Sequence, residues 1–425
     1  MLTRTAEAAP ARSSAGELRP HVRSLDGLRF LAALCVAIAH GYGYIVTTGA
    51  TTAPSELELM ILTLAAPGMT LFFVLSGFVI HLNYRDSVGD GGQRGTFNFF
   101  VARFARLYPL FLAVFAFEIG RLLWWRAPQH GFDVLTGVSF FLTFTQTWFV
   151  IPVQGHALFD HYATFSGLAQ ATGTMWSLSI EALFYVAYPW LARPLGRLRA
   201  RRLAAVFAVV AVVNLSYFAL AATHAGEIQK LGLAIYGTHD LAMGFLAWMT
   251  FYSPIGRITE FVLGALAAQH LCARTKAPWD RHAGFCSVLV AAALVLWYVL
   301  ALRNRISGTL VFSGALTAAL ILLLAQHRTL LARAFGSAAM VWGGEASYSI
   351  YLLHWYVMNL WAAHYAAEQT PPVRLAIFAA AIAATLAISR VSYLVLERPA
   401  QQWLRRNLRR LRLGGTATRS TGSPA

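Results

Sequence analysis

Between about residue 29 and residue 396 this chain is a succession of apolar runs, each close to twenty residues long, divided by short polar breaks. A helix of roughly twenty residues spans the hydrocarbon layer of a bilayer. Lipid offers no partner to backbone N–H and C=O groups, so such a run must satisfy them internally as a helix. The class expected is therefore all-α: a polytopic integral membrane protein. Ten spans are predicted, at about 29–48, 60–83, 103–124, 176–192, 203–223, 257–272, 283–302, 308–326, 345–366 and 373–396. A content of 57% hydrophobic and 12% charged residues excludes an ordinary soluble enzyme.

Two more apolar segments, about 136–152 and 239–252, are ambiguous, and the basic residues arbitrate. Basic residues concentrate on the cytoplasmic side of membrane proteins. With the N-terminus inside and neither segment crossing, 26 of the 34 Lys and Arg residues fall inside, seven outside, and Arg390 within the last span. If only 136–152 crossed, the run Arg193, Arg197, Arg199, Arg201, Arg202 would move outside, along with the Arg-rich C-terminus. The expectation is ten spans with both termini cytoplasmic, and 136–152 re-entrant or interfacial over an outer cavity. The outer loop 125–175 is rich in His, Phe and Thr.

Residues 1–23 read as a disordered tail without a removable signal peptide. Residues 24–400 read as one transmembrane domain. Residues 401–425 form a basic and Gly/Ser/Thr-rich tail. The net charge of +16 suits basic loops beside anionic lipid rather than nucleic-acid binding. Cys35, Cys272 and Cys286 lie in or beside apolar runs with no Cys-x-x-Cys pair, so neither a disulfide framework nor a metal site is indicated. The sequence holds no Walker A loop, Gly-x-Ser-x-Gly elbow, His-Glu-x-x-His or Rossmann fingerprint.

Ionisable residues inside the spans are the candidates for chemistry, because burying them in a bilayer is costly. Arg29 and His40 are eleven residues apart, about three helical turns and roughly 16 Å along one stripe. A neutral imidazole is a natural general base toward a hydroxyl. The bland reading is an interfacial arginine and a histidine bonded to a neighbouring helix. Arg103 and Arg106 share a face at the inner end of the third span. They suit a phosphate-bearing cytosolic ligand, or serve only as topological anchors. Glu181 lies five residues into the fourth span, on a stripe with Ser177, Tyr185 and Tyr188. It can bind a polyol, or pair with a base such as Arg257. Arg257 and Glu260, three apart, read as a local ion pair. Ser347, Tyr351 and His354 share a face, with His354 read as a packed histidine bonded across helices or as a second acid or base. Glu397 reads as a cap near the cytoplasmic surface.

Together these stretches resemble the acyltransferase-3 family of membrane-bound O-acyltransferases, over about residues 24–400. Five blocks carry the resemblance in order. They are Leu25-Asp26-Gly27-Leu28-Arg29 with His40 at the Arg-x10-His spacing; Phe72-Phe73-Val74-Leu75-Ser76-Gly77-Phe78; Arg103-x-x-Arg106-Leu107-x-Pro109; Trp176-Ser177-Leu178-x-x-Glu181; and Ser347-Tyr348-x-x-Tyr351-Leu352-x-His354, closed by Glu397-x-Pro399. Ala102 stands where an arginine doublet is common, and Phe111 where a tyrosine is common.

The resemblance implies an acyl-CoA donor, usually acetyl-CoA, approaching from the cytoplasm as a substrate rather than a bound cofactor. It implies an acceptor hydroxyl on a surface or lipid-linked carbohydrate. It places Arg29 and His40 at the reaction centre and Arg103 and Arg106 near the donor. The chain looks like the standalone form, without an appended extracytoplasmic hydrolase-like domain, and a location in the bacterial inner membrane is implied.

A polyanionic donor would rest its phosphates on Arg103, Arg106 and Arg29 at an inner mouth. The acceptor would arrive from outside past Trp176 and Glu181. His40 would take the hydroxyl proton for direct attack, or accept the acyl group first; both routes stay open. A proton- or solute-coupled transporter is the alternative from another class, since buried His, Glu and Arg belong there too.

Overall fold

The structure is a computed structural model describing residues 22–48, 53–124, 138–148, 152–153, 156–157, 174–236, 245–273, 281–303, 314–366, 369–404 and 406–407. Most of these residues are helical. The helices are α1 (Arg23–Gly41), α2 (Glu56–Thr63), α3 (Ala65–Gly89), α4 (Gln93–Trp124), α5 (Trp176–Gly196), α6 (Ala200–Thr223) and α7 (Ala225–Tyr236). They continue as α8 (Pro254–Cys272), α9 (Ala283–Arg303), α10 (Gly314–Gln326), α11 (Leu330–Phe335), α12 (Ala338–Glu345), α13 (Ser347–Trp361) and α14 (Pro371–Ser392). Single π turns extend α1 through Tyr42–Val46, α13 through Ala362–Ala366 and α14 through Tyr393–Glu397. A two-residue ribbon pairs Pro152–Val153 with His156–Ala157.

Six helical stretches are long and apolar enough to cross a membrane: Arg23–Val46, Glu56–Gly89, Gln93–Gly120, Ala200–Thr223, Ala283–Arg303 and Pro371–Leu404. Their surfaces agree with that reading. Helix α6 exposes Val209, Val212 and Val213, α9 exposes Phe285, Val288 and Val295, and α14 exposes Ile388 and Val391. Apolar stripes of this extent face lipid or a partner, not water. The other four expected spans coincide with α5, α8, α10 and α13. Helices α5, α8 and α13 are inner helices whose hydropathy is lowered by residues such as Glu181, Arg257, Glu260 and His354. Only the part of 308–326 from Gly314 onward lies among the described residues.

The centre of the bundle is the crossing of α3 and α8. A Cβ on Gly77 would stand 1.9 Å from the Phe261 carbonyl oxygen, and one on Gly264 would stand 1.9 Å from the Val74 carbonyl oxygen. Small residues let backbones touch, which is how helices gain packing where lipid supplies no hydrophobic drive. Below the crossing, Arg257 Nη1 and Glu260 Oε1 pair at 2.9 Å with both side chains fully buried. Thr70 donates to the same oxygen from α3 at 2.9 Å.

The ambiguous segment 136–152 is described from residue 138 to 148. It forms a helical turn, then reverses at Phe144, whose φ is 53°. Gln146 Nε2 donates to the Met175 carbonyl at 3.0 Å, and Trp148 Nε1 to the Ser179 carbonyl at 2.8 Å. Thr147 Oγ1 bonds Ser179 Oγ at 2.9 Å. The segment is thus fastened to the first turns of α5. Of the other ambiguous segment, residues 245–252 make a helical turn and the π turn Trp248–Tyr252. The rest of the loop 125–175 and both tails fall largely outside the described residues.

Candidate active site

A cleft with a cavity volume of about 70 Å³ lies between α1, α3, α4, α5 and α13. Arg29, Arg103, Arg106 and Glu181 all line it, and Ser76, Ser177, Ser347, Tyr348 and Tyr351 add hydroxyls. Met69, Phe72, Phe73, Val79 and Leu107 make the rest of the wall apolar. Three guanidinium groups and one carboxylate therefore face one space of low polarity, where charges act strongly on one another.

Each arginine is held differently. Arg29 Nη1 donates to Asp26 Oδ1 at 3.2 Å, one helical turn back on α1. Arg103 Nη2 donates to the Tyr84 hydroxyl at 3.0 Å. Its guanidinium lies 5.0 Å from the centre of the Tyr84 ring and 5.8 Å from that of Tyr185. Cation–π contacts of this kind orient a guanidinium without consuming its donors. Arg103 Nε is buried and has no hydrogen-bond partner among the described residues. Arg106 has no hydrogen bond or ion pair to any described residue, though it and Arg103 lie close enough for their charges to act on Arg29. A buried donor without a partner is the exception in proteins, and Arg103 Nε is one that an anion in the cleft would satisfy.

Glu181 accepts from Ser76 Oγ at 3.3 Å and from the Tyr185 hydroxyl one turn along α5. It does not pair with Arg257, whose partner is Glu260 on the same helix. The expected division into an inner arginine set and an outer carboxylate set is not kept: Glu181 shares a cleft with all three arginines. Helix α4 begins at Gln93, so Arg103 and Arg106 project from within the helix rather than from its first turn, and they share the cleft with Glu181.

Helix α13 supplies the floor and joins the two sides. Tyr348 donates to the Leu107 carbonyl at 2.8 Å. Tyr351 donates to the Thr174 carbonyl at 2.8 Å and accepts from Ser177 Oγ at 2.7 Å. Ser349 donates to Glu397 at 2.9 Å, so Glu397 is buried and tied to α13 rather than a cap at the surface.

His40 is not among the residues lining the cleft. Its Nδ1 lies 2.9 Å from His354 Nε2, with the rings stacked at 5.2 Å. Trp355 meets the His40 ring edge-on at 5.6 Å. His354 is fully buried, and its ring is 5.9 Å from that of Tyr351, which does line the cleft. Tyr351 thus joins the lining of the cleft to the histidine pair. The interhelical bond that the sequence allows for each histidine is one bond joining the two. His40 keeps some exposure while His354 has none. Sequence reasoning did not single out Ser76 or Tyr84. Ser76 lies within the Phe72–Phe78 block, and that was its only signal. No group of three or more metal-ligating side chains occurs among the described residues.

Residues 22–391 match the profile of the acyltransferase-3 family, described as an acyltransferase domain. Nodulation protein 10 of Rhizobium leguminosarum bv. viciae is 26% identical over 398 residues, covering 90% of this chain and 94% of that protein. The acyltransferase MdmB of Streptomyces mycarofaciens is 29% identical over 352 residues, 79% of each chain. The peptidoglycan O-acetyltransferase OatA of Listeria monocytogenes serovar 1/2a is 24% identical over 395 residues, 90% of this chain and 56% of that protein. No solved structure matches the chain.

Proposed function

The chain belongs to the acyltransferase-3 family, and from that premise we propose that it transfers an acyl group, acetyl first among them, from cytosolic acyl-CoA to a hydroxyl of an extracytoplasmic or lipid-linked carbohydrate. The observation that carries this reading is the cleft in which Arg29, Arg103 and Arg106 converge with spare donors. CoA phosphates are strong acceptors, and guanidinium groups bind them through paired N–H donors. Arg103 and Arg106 hold the donor, and Arg29 stands where it meets the acyl end. Glu181 orients the acceptor hydroxyl. His40 takes the hydroxyl proton as the oxygen attacks the thioester carbon.

The accompanying topology is ten spans in the bacterial inner membrane, both termini cytoplasmic, with 136–152 re-entrant or interfacial on the outer side. Residues 24–400 make the transmembrane domain between the tails 1–23 and 401–425. The name of the Listeria relative makes a peptidoglycan fragment the first acceptor to try. Family membership weighs against the transporter reading.

The test is release of CoA thiol from acetyl-CoA by the purified chain in detergent, with and without muropeptide or another glycan. Acceptor-dependent release, with the acetyl group found on the glycan by mass spectrometry, supports the proposal. Absence of thiol release with every glycan, from protein that binds CoA, overturns it.

A further inference from the structure

We propose that His354 is a positioning residue that holds His40 in the tautomer with its free lone pair on Nε2. This rests on the proposed role of His40 as the proton acceptor. His354 Nδ1 lies 3.1 Å from the Ile350 carbonyl oxygen, one turn back on α13. A carbonyl oxygen only accepts, so that nitrogen carries a proton. A neutral imidazole has one N–H, so the Nε2 of His354 is a lone pair. That lone pair faces His40 Nδ1 at 2.9 Å. His40 Nδ1 must then be the donor, and the lone pair of His40 is left on Nε2, the nitrogen turned away from His354.

The opposite arrangement needs a doubly protonated His354 donating to His40. That would bury a cation completely, in a helix interior where no carboxylate bonds either ring among the described residues. An unpaired buried charge is far more costly than a neutral hydrogen bond. A second arrangement, with N–H on both facing nitrogens, would leave two donors 2.9 Å apart. The backbone of α13 thus determines the tautomer of a side chain on α1 through one intervening ring.

The arrangement suits proton transfer in both directions. The hydroxyl proton moves to His40 Nε2 as the oxygen bonds to the thioester carbon. The C–S bond breaks, and the CoA thiolate leaves. The proton then passes from Nε2 to the sulfur. Throughout, His354 Nε2 accepts from His40 Nδ1–H, so the transient imidazolium keeps a hydrogen-bond acceptor on its far side. His354 itself neither gains nor loses a proton.

Two substitutions separate this role from simple packing. In His354→Gln the amide oxygen can still accept from His40 Nδ1. In His354→Leu nothing can. The full chain, labelled with ¹⁵N-histidine in lipid nanodiscs, is read by NMR, with the His40 signals found by difference against His40→Gln. The expected result is a protonated Nδ1 and a bare Nε2 in the wild type and in His354→Gln, and loss of that preference in His354→Leu. Thiol release from acetyl-CoA, with the glycan acceptor found active, should show kcat reduced by roughly 10²-fold or more in His354→Leu, the scale of a general base. The KM for acetyl-CoA should stay near wild type, and His354→Gln should recover most of the rate. A protonated Nε2 on wild-type His40, or equal losses in the Leu and Gln variants, overturns the proposal. If the tautomer responds as stated while turnover ignores both variants, the hydrogen-bond assignment stands and the base role of His40 fails.

Discussion

Ser76 on α3 donates to Glu181 on α5 across 3.3 Å, and the Tyr185 hydroxyl donates to the same carboxylate. Among the described residues Glu181 is the one carboxylate lining the cleft, and it is fixed by two hydroxyls while three guanidinium groups share its space. Glu181→Gln keeps the shape and removes the charge. Binding of free CoA should become tighter, because one negative charge no longer opposes its phosphates. Turnover with the glycan acceptor should fall. Calorimetry against CoA and steady-state rates against acceptor separate the two effects, and weaker CoA binding would contradict the charge argument.

The arginine pair makes a different prediction. Arg103→Ala or Arg106→Ala should raise the Kd for CoA about ten- to a hundredfold, the range expected for a charge-assisted hydrogen bond. The effect should appear in the donor KM more than in kcat, since contacts remote from the reacting carbon act largely as uniform binding. Lys should restore only part, as a point charge without the planar fork. Normal CoA binding in both alanine variants would reduce these residues to topological anchors.

Arg257 and Glu260 should matter to stability and not to chemistry. Removing one member leaves the other charge buried alone, at a cost of about 3–5 kcal/mol. Glu260→Ala should lower the thermal midpoint in detergent sharply, and Arg257→Met with Glu260→Leu together should recover much of it. A silent Glu260→Ala would mean that water reaches the pair.

The seam between α3 and α8 gives a prediction with an internal control. Gly264→Ala drives a methyl group into the Val74 carbonyl, whereas a Cβ on Gly284 meets nothing within 4 Å. Gly264→Ala should therefore lose folded protein, and Gly284→Ala should not. Equal thermal midpoints would refute the close approach.

Topology is checked in a background lacking Cys35, Cys272 and Cys286. A cysteine at Gly226 should react with an impermeant maleimide from outside intact cells, and one at Gly92 should react only after the membrane is opened. Both positions have open space around them. The reverse pattern would invert the proposed donor and acceptor sides.

Much of this organisation was legible in the chain, and the limits of legibility have physical causes. Apolar runs report the face a helix turns to lipid, so α6, α9 and α14 were plain. Helices α5, α8 and α13 face other helices, and their polar residues lower the same signal. Helix α4 starts ahead of the span expected from Arg103, because Arg103 is buried against Tyr84 and Tyr185 and its charge does not end the helix. The four cleft residues Arg29, Arg103, Arg106 and Glu181 were found as separate motifs. The meeting of the three arginines was expected, and that of Glu181 with them was not, since no local pattern reports which helices enclose one space. The bond between His40 and His354 joins positions 314 apart. No local pattern encodes such a contact.

The crossing of Gly77 and Gly264 also bears on how a wall of the cleft can move. On α3, Ser76 adjoins a place where two backbones touch, with no side chain between them to rearrange. Such a joint can neither slide nor swell without breaking. Helix α4 has a backbone contact of its own with α3, where a Cβ on Gly95 would stand 1.7 Å from the Ser87 carbonyl oxygen, and further along it packs through rings: Tyr108 and Phe111 against Phe144, and Phe115 against Phe141. Rings can turn and shift while staying in contact. The wall that carries Ser76 thus stands on a joint with no room to give, and the carboxylate of Glu181, which Ser76 fastens, is held in place by backbone contact at one remove.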